Sequence, residues 1–132
     1  VIIHCREGLP TIADVFRNYS GTLPACVFHS FGGTNDDVEL IRSFGDFYFG
    51  INGVVTFKNS KLSETLPAIG LARILLETDC PYMAPEPVRG TRCDSSLIRY
   101  VGEYIASVKG EEPEQVFRQT VENACQVYNL SV

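Results

Sequence analysis

Cys26-Val27-Phe28-His29-Ser30-Phe31-Gly32-Gly33-Thr34-Asn35-Asp36-Asp37-Val38 holds a short apolar run closing on a histidine, then a glycine turn, then a Thr-x-x-Asp pair resembling a capping box. Val38, Ile41 and Phe44 follow at helical spacing, with Gly45 beyond them. One strand leads into one helix. Upstream, Val1-Ile2-Ile3-His4-Cys5 predicts a strand; Gly8-Leu9-Pro10 breaks it, and Ile12, Val15, Phe16 and Tyr19, at helical spacing, give a helix stopped at Ser20-Gly21. Downstream, Phe47 to Ile51 gives a third strand, followed by a short helix from Lys61 to Ala68 with Leu62, Leu66 and Ile69 on one side and Pro67 weakening its end. Ile74-Leu75-Leu76-Glu77 gives a fourth strand. After a loop of Pro, Gly and Arg, Leu97, Val101, Tyr104, Ile105 and Val108 mark a helix ended by Gly110. Pro113 opens a last helix through Val116, Phe117, Thr120, Val121, Ala124 and Val127.

The order βαβαβαβαα predicts an α/β fold, because parallel neighbours cannot be joined by a tight turn and each crossover needs a helix. A doubly wound sheet and a segment of a (β/α)8 barrel share this pattern, and both place their sites at the carboxyl ends of the strands. Those ends are polar here: His4, His29, Asn52 and Asp79 stand 25, 23 and 27 residues apart, about one βα repeat each. The regularity argues for a barrel wall turning around one mouth.

Composition bounds the chemistry. The 132 residues are 45% hydrophobic and 20% charged, which predicts one domain, residues 1–132, with a real core. A net charge of −5 supplies no overall basic field for broad duplex binding, so any phosphate chemistry is local. No apolar run approaches a membrane span, and no secretory leader pattern precedes the first strand; the chain is expected to begin in mid-fold and to act without a membrane. Five cysteines, Cys5, Cys26, Cys80, Cys93 and Cys125, have neither zinc-pair nor disulfide-framework spacing, so reduced thiols in the cytoplasm are expected, with the nucleus or another intracellular site left open.

The two histidines of the chain both end an apolar strand run. Imidazole nitrogens suit zinc and similar divalent ions, and Asp79 offers a hard oxygen, so His4, His29 and Asp79 are candidates for one metal site. The competing account makes each histidine a hydrogen-bonded core residue and Asp79 a loop cap before Pro81. Three ligand-type residues at matching places of three repeats weigh against it, since packing alone would favour Val, Ile or Leu there. Glu77 shares a strand face with Asp79; it orients a ligand or binds water, or else forms a buried ion pair. Arg6 and Arg89 near the mouth are candidate phosphate grips, Arg92 and Lys58 weaker ones, the alternative for each being a solvated surface cation. Gly32-Gly33-Thr34 lacks P-loop spacing and reads as a tight turn. Cys5 and Cys80 read as packing residues.

Ile3-His4-Cys5-Arg6, Phe28-His29-Ser30-Phe31-Gly32-Gly33, Phe49 to Lys58, Leu75-Leu76-Glu77-Thr78-Asp79-Cys80-Pro81-Tyr82 and Pro87-Val88-Arg89-Gly90 together closely resemble the TatD family of metal-dependent deoxyribonucleases, in order and from the first residue to about Asn123. The resemblance implies a TIM-barrel of the metal-dependent hydrolase type, one or two divalent metals (Mg or Zn) in the complete barrel, and hydrolysis of phosphodiester bonds in DNA. It matches His4 and His29 to ligands of one metal and Asp79 to the carboxylate on the other, beside the nucleophilic water, whose proton Asp79 is placed to accept. Glu77 and Asn52 would support these ligands.

The family also uses a His-x-His pair on its first strand and a Glu on a later one, and neither is here. The resemblance therefore implies the carboxyl-terminal half of the barrel. Its first and last strands are expected to have open edges and apolar inner faces, and to seek the missing amino-terminal half or a second copy of the chain. Three functions stay open: a DNase acting on single strands or strand ends, a related hydrolase of esters, lactones or amides, and a non-catalytic half-barrel serving as an interaction module.

Overall fold

Four short strands, β1 (Ile2–His4), β2 (Val27–His29), β3 (Tyr48–Ile51) and β4 (Ile74–Leu76), pair in parallel in the order β1-β2-β3-β4. They come from a computed structural model that describes residues 1–19 and 21–131; Ser20, where the sequence reading stops the first helix, lies outside the described residues. Each crossover is helical: α1 (Leu9–Asn18) joins β1 to β2, α2 (Asn35–Arg42) joins β2 to β3, and α3 (Leu62–Thr65) lies between β3 and β4. Two longer helices follow, α4 (Ile98–Lys109) and α5 (Pro113–Tyr128). The observed order is the α/β order expected.

Local chemistry accounts for the boundaries. Thr34 Oγ1 accepts the Asp37 N–H, and the Asp37 carboxylate accepts the Thr34 N–H at 2.7 Å, a reciprocal cap that starts α2. Of the Gly32-Gly33-Thr34 turn, the Thr34 N–H is thus spent inside the fold. Pro67 ends α3, which tightens into a single 3-10 turn over Leu66–Ala68. Gly110, at φ 67°, takes the left-handed conformation that closes α4.

Strand alternation divides the sheet into two faces. Phe28, Phe49, Ile51 and Ile74 point to the helices and join Val38, Ile41, Leu66, Val101, Ile105 and Val116 in the main core. The opposite face carries His4 and His29 in register, with Val27, Tyr48 and Leu75 beside them. Those three apolar residues are buried against Ala124 and Val127 of α5. Asn123 fastens that helix, its side-chain amide donating to the Leu71 and Ile74 carbonyls at 2.9 and 2.8 Å.

That arrangement corrects one expectation. Val27, Tyr48 and Leu75 on the inner face of β2, β3 and β4 are buried, because the chain's own last helix lies on them, whereas Ile2 of β1 is 62% exposed and Val1 before it 67%. Of the apolar residues at helical spacing, Val15, Tyr19 and Val121 are exposed. The first helix packs instead through Leu9, Ile12, Ala13 and Phe16, the ring of Phe16 lying edge-on to Phe44 at 5.5 Å.

Candidate functional site

β2, β3 and β4 release their chains at the same end of the sheet, and the residues there meet around one imidazole. His29 closes β2, and its Nδ1 lies 2.8 Å from Glu77 Oε2. The same oxygen accepts the Ser30 N–H at 2.9 Å. An ionised carboxylate only accepts, so the Glu77 contact requires a proton on Nδ1. Burial pushes the Glu77 carboxyl up from its ordinary value, opposed by the Ser30 N–H and by His29.

Gly50 makes this contact possible. A Cβ at position 50 would collide with the Glu77 carboxyl, so the bare backbone of β3 is what lets that side chain cross the sheet face to His29.

His29 Nε2 faces Asp79 Oδ1 at 3.3 Å. The other oxygen, Asp79 Oδ2, accepts from Asn52 Nδ2 at 2.7 Å and from Ser30 Oγ at 3.3 Å. Asn52 is 2% exposed, and its orientation is determined from behind: Oδ1 accepts the Val54 N–H at 3.0 Å, where a 3-10 turn over Gly53–Thr56 begins. Its amide protons are left to Asp79 and to Ser30 Oγ, the latter at 2.7 Å. Ser30 itself sits at φ 52°, the left-handed region that non-glycine residues seldom adopt, and this bend aims its N–H at one carboxylate and its hydroxyl at the other.

The other sequence candidates lie further out. His4 is exposed, and its ring centroid stands 6.0 Å from that of His29 with the planes tilted by 40°. Arg6 is exposed just after β1. Arg89 rests over the Phe57 ring at 4.1 Å, which holds its guanidinium by a cation–π contact. Arg92 and Lys58 are exposed. Cys80 corrects the sequence reading: it is exposed rather than a packing residue, while Cys93 is buried. The sequence reading gave no role to Ser30 or Gly50. A glycine inside an otherwise apolar strand was the available signal for the second.

The donor set fits half of a metal centre. Two ligands of one ion at bond lengths of 2.0 to 2.2 Å stand roughly 2.8 to 3.6 Å apart at octahedral or tetrahedral angles, and His29 Nε2 and Asp79 Oδ1, at 3.3 Å, have such a separation. Glu77 supplies the outer carboxylate that commonly orients a ligating histidine. Among the described residues no group of three or more His, Cys, Asp or Glu side chains is arranged to hold a metal ion.

Comparison with known proteins gives the wider frame. The model of the family described as TatD related DNase matches residues 1–129. A Bacillus subtilis protein named as the uncharacterized metal-dependent hydrolase YabD is 32% identical over 132 residues, covering 99% of this chain and 51% of that protein. An Erwinia billingiae protein named as the 3'-5' ssDNA/RNA exonuclease TatD is 33% identical over 136 residues, covering 98% and 52%. The crystal structure of a TatD homologue, YJJV, from Escherichia coli K12 superposes with a TM-score of 0.87 at 23% identity, over 99% of this chain and 50% of that one. The fold is therefore that of a TatD barrel in part, and the chain spans about half the length of the relatives it matches.

Proposed function

This chain belongs to the TatD related DNase family, and we propose that it supplies the carboxyl-terminal half of a divalent-metal centre that hydrolyses phosphodiester bonds in DNA. Residues 1–132 act in this reading as one partial-barrel unit of a longer protein. The observation that carries it is the pairing of His29 Nε2 with Asp79 Oδ1 at a spacing two ligands of one ion would have, each held from behind by a dedicated partner.

A divalent ion, Mg or Zn, bound there would lower the pKa of a bound water and take up charge on the phosphoryl oxygens. The side chains do the rest. His29 and Asp79 would hold the ion, and His4, one strand over, is the candidate third donor. Asp79 also accepts the proton of the attacking water. Glu77 orients His29, and Asn52 with Ser30 holds the second oxygen of Asp79, which leaves the first to bind an ion. Arg6 and Arg89 grip the phosphate, Arg89 swinging off Phe57 to do so. With no net basic field, the substrate is a single strand or a strand end, in keeping with the ssDNA/RNA exonuclease name carried by one relative. The remaining donors come from the amino-terminal half of the barrel or from a second copy of this chain. Among the described residues no helix is long and apolar enough to cross a membrane, and we place the protein in the cytoplasm.

One observation favours a second reading, a half-barrel that is inert by itself: the described residues assemble no three-ligand group. Metal analysis and a nuclease assay on this chain beside an upstream-extended form decide between them. The expected result is metal and DNA cleavage in the extended form, abolished by His29→Ala and by Asp79→Ala. Cleavage that survives both substitutions removes the site assignment, and cleavage in neither form leaves the inert half-barrel.

A further inference from the structure

The loop that leaves β4 contains a feature the proposed hydrolysis does not use. Cys80, next to Asp79, and Cys93, at the far end of the loop, place their sulfurs 3.8 Å apart. Their backbones are already joined beside them, because the Cys93 N–H donates to the Pro81 carbonyl at 3.0 Å. Cys80 is exposed and Cys93 buried, and both line a surface cleft with Pro81, Arg92, Asp94 and Ser95. A disulfide needs its sulfurs at about 2.05 Å, and Cys80, being exposed, is the side chain with room to turn toward the buried Cys93.

We propose that Cys80 and Cys93 form a reversible disulfide under peroxide, locking loop 81–92 to the end of β4 beside Asp79. The Cys80 thiolate attacks one oxygen of hydrogen peroxide, becomes a sulfenic acid and releases hydroxide. The Cys93 sulfur then displaces the sulfenic oxygen, which leaves as water with the Cys93 proton. Two thiols lose two electrons and the peroxide gains them. Cys80 reacts first because it is open to solvent; burial and the neighbouring Cys80 push the Cys93 thiol up to about 11, which keeps it protonated and slow toward peroxide. Arg89 and Arg92 both lie in the locked segment, so oxidation would freeze the cationic edge of the mouth. The bond forms whatever the site cleaves.

Peptide mapping tests it. The chain is exposed to hydrogen peroxide, its remaining thiols are blocked with N-ethylmaleimide, and it is digested with trypsin, which cuts after Arg73, Arg89, Arg92 and Arg99 and so puts the two cysteines on separate peptides, 74–89 and 93–99. The expected product is those peptides linked and lighter by two hydrogens than their sum, with blocked thiols falling from five to three and returning to five after dithiothreitol. Cys80→Ser, at an exposed position, should keep the circular dichroism of the parent and lose the linked pair. Cys80 proceeding to sulfinic acid, joining Cys5, Cys26 or Cys125, or remaining fully blockable while peptide 93–99 stays alkylated would each overturn the proposal.

Discussion

The carboxyl end of β2 and that of β1 each finish on a histidine, in register with one another, and the two are held very differently. His29 has a carboxylate on each ring nitrogen, and those carboxylates are held in turn by Ser30 and Asn52. His4 is exposed, on a strand whose Ile2 is bare, as is Val1 before it. The chain pre-orients one ligand and leaves the other to be oriented by whatever covers β1. A site built this way can be correct in half its geometry and still bind metal poorly, because affinity depends on the whole first shell and its supports.

The comparison breaks most sharply if the well-held half proves dispensable. In an upstream-extended, active form, Asp79→Ala is expected to lower kcat by about 10³-fold through loss of the proton acceptor and a metal donor, measured on single-stranded DNA. Retention of most of the rate would mean that the network supports the fold alone. Next in size, Gly50→Ala should cost this chain about 2 kcal/mol in urea unfolding, because the added carbon meets the Glu77 carboxyl and that side chain must leave His29. An unchanged midpoint would show that Glu77 has other room.

The two histidines give the finest distinction. His29→Ala should destabilise this chain by about 1.5 kcal/mol, since Glu77 and Asp79 each lose a partner in a partly buried place, whereas His4→Ala should stay within about 0.5 kcal/mol. Equal effects would remove the contrast. In the extended form the stability cost of His4→Ala should grow, as β1 gains a neighbour.

The secondary structure was readable because each element announces itself within a few residues: the Thr34–Asp37 cap, Pro67, Gly110 and the apolar spacing of α4 all act locally. Helical spacing does not say which side of a helix finds a neighbour. Val15 and Tyr19 stand at the same helical spacing as Ile12 and Phe16, yet only the latter pair meets the core, because periodicity records an apolar stripe and not what lies opposite it. The burial of Val27, Tyr48 and Leu75 beneath α5 was likewise illegible, since it joins residues about fifty to a hundred positions apart in the chain.

At the site, the sequence determined which chemical groups stand at the strand ends: two imidazoles, an amide and two carboxylates, brought to one edge by the βα repeat. Only the tertiary structure decided how they are used. Hydrogen bonds are short and directional, so the partner of each nitrogen and oxygen depends on ångström-scale placement across neighbouring strands. The gap at Gly50, the bend at Ser30 and the grip of Asn52 on Asp79 are products of that placement.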